Sequence, residues 1–463
     1  MKGDFSRFGF ASGRGFSRVL VQQGRMSVDA DANEQQFINL AALRAFAADL
    51  VGRHGGAGDA FKLAAVNKGG RTQLMIAPGR YYIDGWMAQN WSDAGYLDVP
   101  GEGNARVVGQ PFYPAAPPLT QGSYLAYLEL WERSVSAAEL DRLGRPNAPD
   151  ALREVGLGGP DTAARAQLVW QVRLEDAQAL PKDGGGKVDL SNLDAVIEVL
   201  LPQQNGLLSA QTAQAPIESD DPCEVPPRSR YRGVENQLYR IEVAHAGKAG
   251  SATFVWSREN GAVAFPLDNV AGPKLKLADV WRDDRFTIGV SDIVEVVSDA
   301  SGLGAEPEFF RVEDYQPDSA TLTLSGTPAA QTGGALRPLV VRRWDHGRKR
   351  KAGDGSPKMT ADNTLLIEEG KPLTIEQGIT VQFDAPAAGE NVYRSGDYWL
   401  IPARSAIGDI LWPATDAGPT KLPPQGIERH IAPLALVDVG AGGAPSVTKD
   451  VRNVFGPIAK PAP

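Results

Sequence analysis

SRVLVQQGRMSVDADANEQQFINLAALRAFAADLVG, residues 17–52, carries the clearest periodicity in the chain. Val19, Leu20 and Val21 are an aliphatic, partly β-branched run that predicts a short strand, and Gln22-Gln23-Gly24 predicts a turn. Asp31, with Glu34 three residues on, has the spacing of a capping box and predicts a helix start. Phe37, Leu40, Leu43, Ala47 and Leu50 then recur at intervals of three and four, and Phe46 widens the stripe. Gly52 and the His54-Gly55-Gly56 cluster stop the helix. Such a seam has two readings. Either the helix packs on its own domain's sheet, or Leu40, Leu43, Ala47 and Leu50 are knobs for a partner helix. The first is preferred, because the seam spans fewer than three heptads and coiled coils sustain the repeat.

Working outward, residues 1–10 (MKGDFSRFGF) and the Gly- and Ser-rich stretch behind them have aromatics but no helical or strand period. They read as a flexible basic arm, in which Phe5, Arg7 and Phe8 are candidate anchors that order on assembly. The rest of the chain reads as strands and loops. The expected class is therefore mainly β: several antiparallel sandwich or barrel-like units with an N-terminal strand–helix element.

The bulk numbers agree. At 463 residues the chain has room for about three domains of ~150 each. Gly and Pro total 51 + 34 = 85, well above the ~12% of average usage, so turns are frequent. Four parts are expected: the arm and docking helix over 1–56, a small β domain over 57–115, a main β domain over 116–345 with a long insertion near 179–234, and a C-terminal β domain over 362–463. The Pro-rich stretch at 111–122 and the polar break at 346–363 mark boundaries. Between 235 and 345 strands recur at hairpin spacing, and Asn260-Gly261 predicts a tight hairpin. No repeat at 20–50 residues is visible.

A net charge of −9 and a pI near 5.2 argue against a protein that coats nucleic acid. The single cysteine, Cys223, sits in acidic surroundings and reads as incidental. No apolar segment follows Lys2 and Arg7 as a secretory signal would, and no run approaches ~20 apolar residues. The expectation is a soluble protein assembled in the cytoplasm, without a membrane span, released by lysis or inside an assembly.

Catalytic chemistry is thin. The four histidines, His54, His245, His346 and His430, lie far apart in sequence, and no phosphate loop or nucleophile elbow appears. Neither a metal nor a cofactor is expected. Glu129 and Glu132 flank Leu130 and Trp131, but residues three apart on a strand face opposite ways, so they do not form a glycosidase pair. Exposed acids at a strand end is the ordinary reading. The one strong charge run is Arg342, Arg343, Arg348, Lys349, Arg350 and Lys351, around Trp344. It suits either a solvated loop or docking to an acidic neighbour.

Several blocks together resemble an uncharacterised bacterial family: MKGDFSR (1–7), VQQGR (21–25), DADANEQ (29–35), LELWER (128–133), GLGGPDTAARAQLVWQVRL (156–174), FVWSRENGAV (254–263), DYWLIPARSAIGDILWP (397–413) and GIERHIAPLALV (426–437). Val21 stands where members of that family often carry Met, and Ala32 where they often carry Trp. The family's genes lie among those of contractile, phage-tail-like injection systems. The resemblance implies a structural particle protein, baseplate-associated or fibre-like, attached through its N-terminal segment, and it implies no catalytic residue. Partners would be baseplate or other particle subunits, with homo-oligomers inside the particle. The candidate docking residues are Phe5, Arg7, Phe8, Leu40, Leu43, Leu50, Arg348, Lys349 and Arg350. The alternative from another class is a carbohydrate-binding or carbohydrate-cleaving protein.

Overall fold

A computed structural model describes all residues except 102, 104–105, 141–151, 155, 157–160, 202–203, 213–230, 280–285, 348–356, 387 and 457–463. It is mainly β, with antiparallel sheets and a closed barrel. Two compact units form, and each is assembled from separated segments. Unit 1 comprises Met1–Phe8, Ser134–Ala166 and Gln204–Ile427; unit 2 comprises Gly9–Arg133, Gln167–Gln203 and Glu428–Pro463. The successive domains expected over 57–115, 116–345 and 362–463 thus interleave instead. Long-range strand pairing is the reason, and composition shifts do not report it.

In unit 2 the strand Arg429–Val439 pairs antiparallel with Gly122–Val135, from Arg429 opposite Trp131 to Val439 opposite Gly122. Pro445–Asp450 and Arg165–Asp176 complete that four-stranded sheet. A second sheet joins His54–Ala57, Gly79–Ile83 and Trp86–Asn90, with Val454–Phe455 added in parallel at its edge. The alternating apolar residues of these strands form one core, including Leu128, Leu130, Trp170 and Leu434. Trp170 meets Phe61 edge-on, with centroids 5.0 Å apart, and its indole N–H donates to the Gln89 carbonyl at 2.8 Å.

Unit 1 contains a closed barrel of Ala264–Ala271, Lys274–Leu277, Thr321–Leu324, Phe309–Gln316, Ile293–Ser298 and Pro338–Trp344. Beside it, a five-stranded sheet centred on Gln237–His245 and a three-stranded sheet centred on Ile379–Asp384 share the aromatic core of Phe254, Phe383 and Trp399. The long excursion near 179–234 is partly structured. It yields the helix Leu193–Leu200, capped by the Asn192 side chain, and the strand Leu207–Thr212, which pairs with Ile379–Asp384. The Asn260-Gly261 turn is not a hairpin. The preceding strand Thr253–Ser257 pairs with Gln237–His245, and the following strand Ala264–Ala271 pairs inside the barrel. The turn hands the chain from a sheet to the barrel.

The helix α1 spans Asp29–Val51 in unit 2. It starts two residues before the expected Asp31, after Val28, and no side chain caps it. Asp29 and Asp31 instead lie in its first turn, where negative charge suits the helix dipole. Gly52 ends it with φ +81° and an N–H to the Ala48 carbonyl at 2.8 Å. The predicted strand at Val19–Val21 is absent, since no neighbouring strand pairs with it. The Val19 N–H donates to Gln35 Oε1 at 2.8 Å.

The seat of α1 on the sheet is tight. A Cβ on Gly85, which has φ +80°, would lie 2.0 Å from the Arg44 carbonyl oxygen. We expect Gly85→Ala to destabilise unit 2 by at least ~2 kcal/mol, from backbone strain plus displacement of the helix. Calorimetry would report this as a lower melting transition; an unchanged melt would mean that α1 is not seated on this turn.

Candidate docking interface

α1 turns an unexpected face to its own unit. Ala30 and Ile38 are buried, and Arg44 lies over Trp86 with its guanidinium carbon 3.2 Å from the ring centroid. Arg44 also pairs with Glu132 at 2.9 Å. An arginine, not the leucine seam, therefore anchors the helix, combining cation–π contact with a packed aliphatic stem. Leu43, Phe46 and Leu50 remain 60–63% exposed, and Leu40 39% exposed. The preferred expectation, that this seam packs on the sheet, is overturned: the last three turns show solvent an apolar stripe. The arm lies along the first half of the helix, with Phe10 stacked on Phe37 at 6.0 Å. Farther along the arm, Leu20, Val21 and Met26 are 71–89% exposed.

The start of the chain is fixed within unit 1. Asn260, fully buried with φ +50°, donates from Nδ2 to the carbonyls of Met1 (3.1 Å) and Gly3 (2.9 Å), and its own carbonyl accepts from the Gly3 N–H at 3.2 Å. The Met1 amino group donates to the Tyr398 hydroxyl at 2.8 Å. The Ser134 hydroxyl donates to the Lys2 carbonyl, and Arg404 donates to that of Ser6. Lys2 pairs with Glu242 at 2.9 Å and lies 5.4 Å from the Trp344 ring centroid. The blocks MKGDFSR, SRENGAV and DYWLIPAR, distant in sequence, thus meet at one socket. Phe5 and Phe8 pack against each other at 5.1 Å, half-buried, while Arg7 is exposed. The chain itself orders the beginning of the arm.

Beneath the socket lies a buried ionic network. Glu242 pairs with Arg240, whose guanidinium covers the Tyr398 ring at 3.7 Å. Burial opposes ionisation of Glu242, but Arg240 and Lys2 outweigh it and hold its carboxyl at about 2. Arg342 joins Glu139 at 2.8 Å and Glu295 at 3.3 Å. Glu139 also accepts from the Ser136 N–H at 2.7 Å, and Ser136 answers to the Glu139 N–H, a reciprocal cap on the short helix Ala137–Leu140. Burial acts against the Glu139 charge too, yet Arg342 and Ser136 bring its pKa below the usual carboxylate range. Arg343 pairs with Asp345 at 3.0 Å, and Arg258 grips Glu376 with two nitrogens at 2.8 and 2.7 Å.

Arg342 and Arg343, counted in sequence with an exposed basic cluster, are therefore interior residues. Alternating burial along Pro338–Trp344 is absent because every residue of that strand is buried. Arg348, Lys349, Arg350 and Lys351 lie outside the described residues, as does Cys223. Glu129 is not an exposed strand-end acid: it is buried between Arg429 (2.5 Å) and Arg173 (3.1 Å), while Glu132 serves Arg44. Among the described residues no group of three His, Cys, Asp or Glu side chains could hold a metal ion. His54 is bonded to the Tyr81 hydroxyl, His430 to Asp84, His346 to the Asn363 carbonyl, and His245 stands 3.0 Å from Asp362. No described helix is long and apolar enough to cross a membrane.

Two variants test the socket. Lys2→Ala removes one cation from Glu242 while Arg240 stays, so a loss of about 1–2 kcal/mol is expected in denaturant unfolding. The Glu242 carboxyl is held below its ordinary 4.5, so the folded chain binds fewer protons than the unfolded chain between about pH 4.5 and 2. Its contribution is complete above that window and is lost as pH falls through it. Glu242→Gln should flatten the acid limb of the stability profile there; an identical limb would remove Glu242 from the network.

Comparison with known proteins gives one result. Neither a curated protein nor a solved structure matches this chain. The model of a family of unknown function, DUF6519, matches residues 1–189 and 188–444. Those matches span the arm, α1, the socket and the barrel, and the chain belongs to this family.

Proposed function

We propose that this chain is a structural component of a contractile, phage-tail-like injection particle, docked through α1 and the exposed part of its N-terminal arm. The observation that carries a docking role is the stripe of Leu40, Leu43, Phe46 and Leu50, left in solvent on a helix anchored from behind by Arg44. Exposed apolar patches of this kind, on a rigid element, mark interaction surfaces. The particle setting rests on the sequence resemblance of the MKGDFSR, DADANEQ and LELWER blocks. The buried Arg240, Arg342 and Arg343 each have carboxylate partners, which suits a scaffold rather than a reacting centre.

Phe5 and Phe8 pack on each other beside the socket, so docking rests on the helix stripe and on the stretch from Phe16 to Val28. The double variant Leu43→Glu/Leu50→Glu should melt within about 2 °C of the wild type, since both side chains are exposed. Expressed with the complete particle genes, it should be missing from purified particles that contain the tagged wild type. Incorporation at the wild-type level would remove this face from the docking role; absence of the wild type from particles would end the reading altogether.

A further inference from the structure

We propose that the socket in unit 1 is a binding site for peptide N-termini, and that residues 1–8 occupy it as a tethered ligand. The ligand class is a peptide with a free α-amino group, lysine second and glycine third. This inference is independent of the docking role of α1.

Residues 1–8 belong to no strand or helix, and side chains hold their carbonyls instead. Asn260 and Arg240 donate to that of Met1, Ser134 to that of Lys2, Asn260 to that of Gly3 and Arg404 to that of Ser6. Capture of an extended segment by side chains is a mode of ligand recognition, distinct from the ladder by which a sheet holds its own strands. The receiving groups are positioned by unit 1 itself. Glu242 and Tyr398 lie opposite each other on paired strands, Arg240 donates to Asn260 Oδ1 at 3.2 Å, and Arg404 donates to the Ala403 carbonyl at 2.9 Å. A site organised in advance loses little ordering free energy when its ligand arrives.

The contacts read three features of the ligand. The Met1 amino group donates to the Tyr398 hydroxyl at 2.8 Å, and acetylation would remove its charge. Lys2 lies between the Glu242 carboxylate at 2.9 Å and the Trp344 ring at 5.4 Å. Its stem runs over Gly261, where a Cβ would come 3.4 Å from Lys2 Cγ and Cδ. Gly3 has φ +148°, and a Cβ there would lie 2.8 Å from the Phe5 ring. Behind the segment, residues 11–18 are all exposed, so the tether is open to a protease.

A protease site placed between Gly13 and Arg14 of the full-length chain allows the tether to be cut in the folded protein, with the circular dichroism spectrum expected to stay the same. By fluorescence anisotropy, a labelled peptide of residues 1–12 should then exchange into the cut chain. Unlabelled peptides that are Nα-acetylated, Lys2→Ala or Gly3→Ala should each compete about tenfold or more weakly than the unmodified sequence. At about 10 μM the uncut chain should take up no peptide, because a short tether holds the resident segment near millimolar effective concentration. Glu242→Gln in the cut chain should bring the unmodified and Lys2→Ala peptides within about threefold of each other. If that variant does not fold, the peptide series decides alone. A cut chain that unfolds, takes up no peptide or fails to distinguish the peptides overturns the site, as does equal uptake by the uncut chain.

Discussion

Unit 1 depends on the pairing of charges that its fold removes from water. A buried carboxylate or guanidinium costs several kcal/mol unless another charge and hydrogen bonds meet it. Glu242 sits between Arg240 and Lys2, and Arg342 between Glu139 and Glu295. The acid Glu242 also favours the charged form of Arg342, so the two sets act on one another. Lys2 is the member supplied from the far end of the chain. Its placement requires Met1 and Gly3 to lie where Asn260 can hold their carbonyls, which is why the turn after Ser257 bends through a left-handed asparagine. The first three residues are consequently part of the interior chemistry.

The β class and the long helix were legible because both depend on local pattern. Strand alternation around Leu128–Leu130 and the stop at Gly52 are properties of neighbouring residues. The orientation of α1 was not legible, because periodicity marks an apolar stripe without saying what covers it. Here the buried side is seated by Arg44, whose long apolar stem and flat guanidinium do the packing that leucines usually do. A single arginine among alanines and leucines carries no sequence signal of that kind.

The same limit explains the other misplacements. Arg342 and Arg343 precede Arg348–Lys351 in sequence, so composition groups them, but pairing with Glu139, Glu295, Glu259 and Asp345 draws them inside. Those acids come from four separate stretches. Asn260-Gly261 looked like a hairpin because the dipeptide favours positive φ, and both residues do have it. What the dipeptide could not reveal was the use of the asparagine side chain to hold Met1 and Gly3. Val19–Val21 failed as a strand for the opposite reason: β propensity finds no partner strand among the described residues, and the Val19 N–H goes to the Gln35 side chain instead.

The first 51 residues therefore divide their work. Residues 1–8 fold with unit 1, where carbonyls and one lysine are fixed by buried polar side chains. Residues from Gly9 fold with unit 2, where Phe10, Gln35 and Arg44 fix the arm and helix against the unit's own surface. The polar contacts that fix this segment are thus made within the chain. Among the residues left in solvent, beside Arg14, Arg18 and Arg25, is an apolar set: Leu20, Val21 and Met26 on the arm, and Leu43, Phe46 and Leu50 on the helix. Apolar area exposed in this way is stabilised by burial against another apolar surface, and the helix beneath it, seated by Arg44, lowers the ordering cost of doing so.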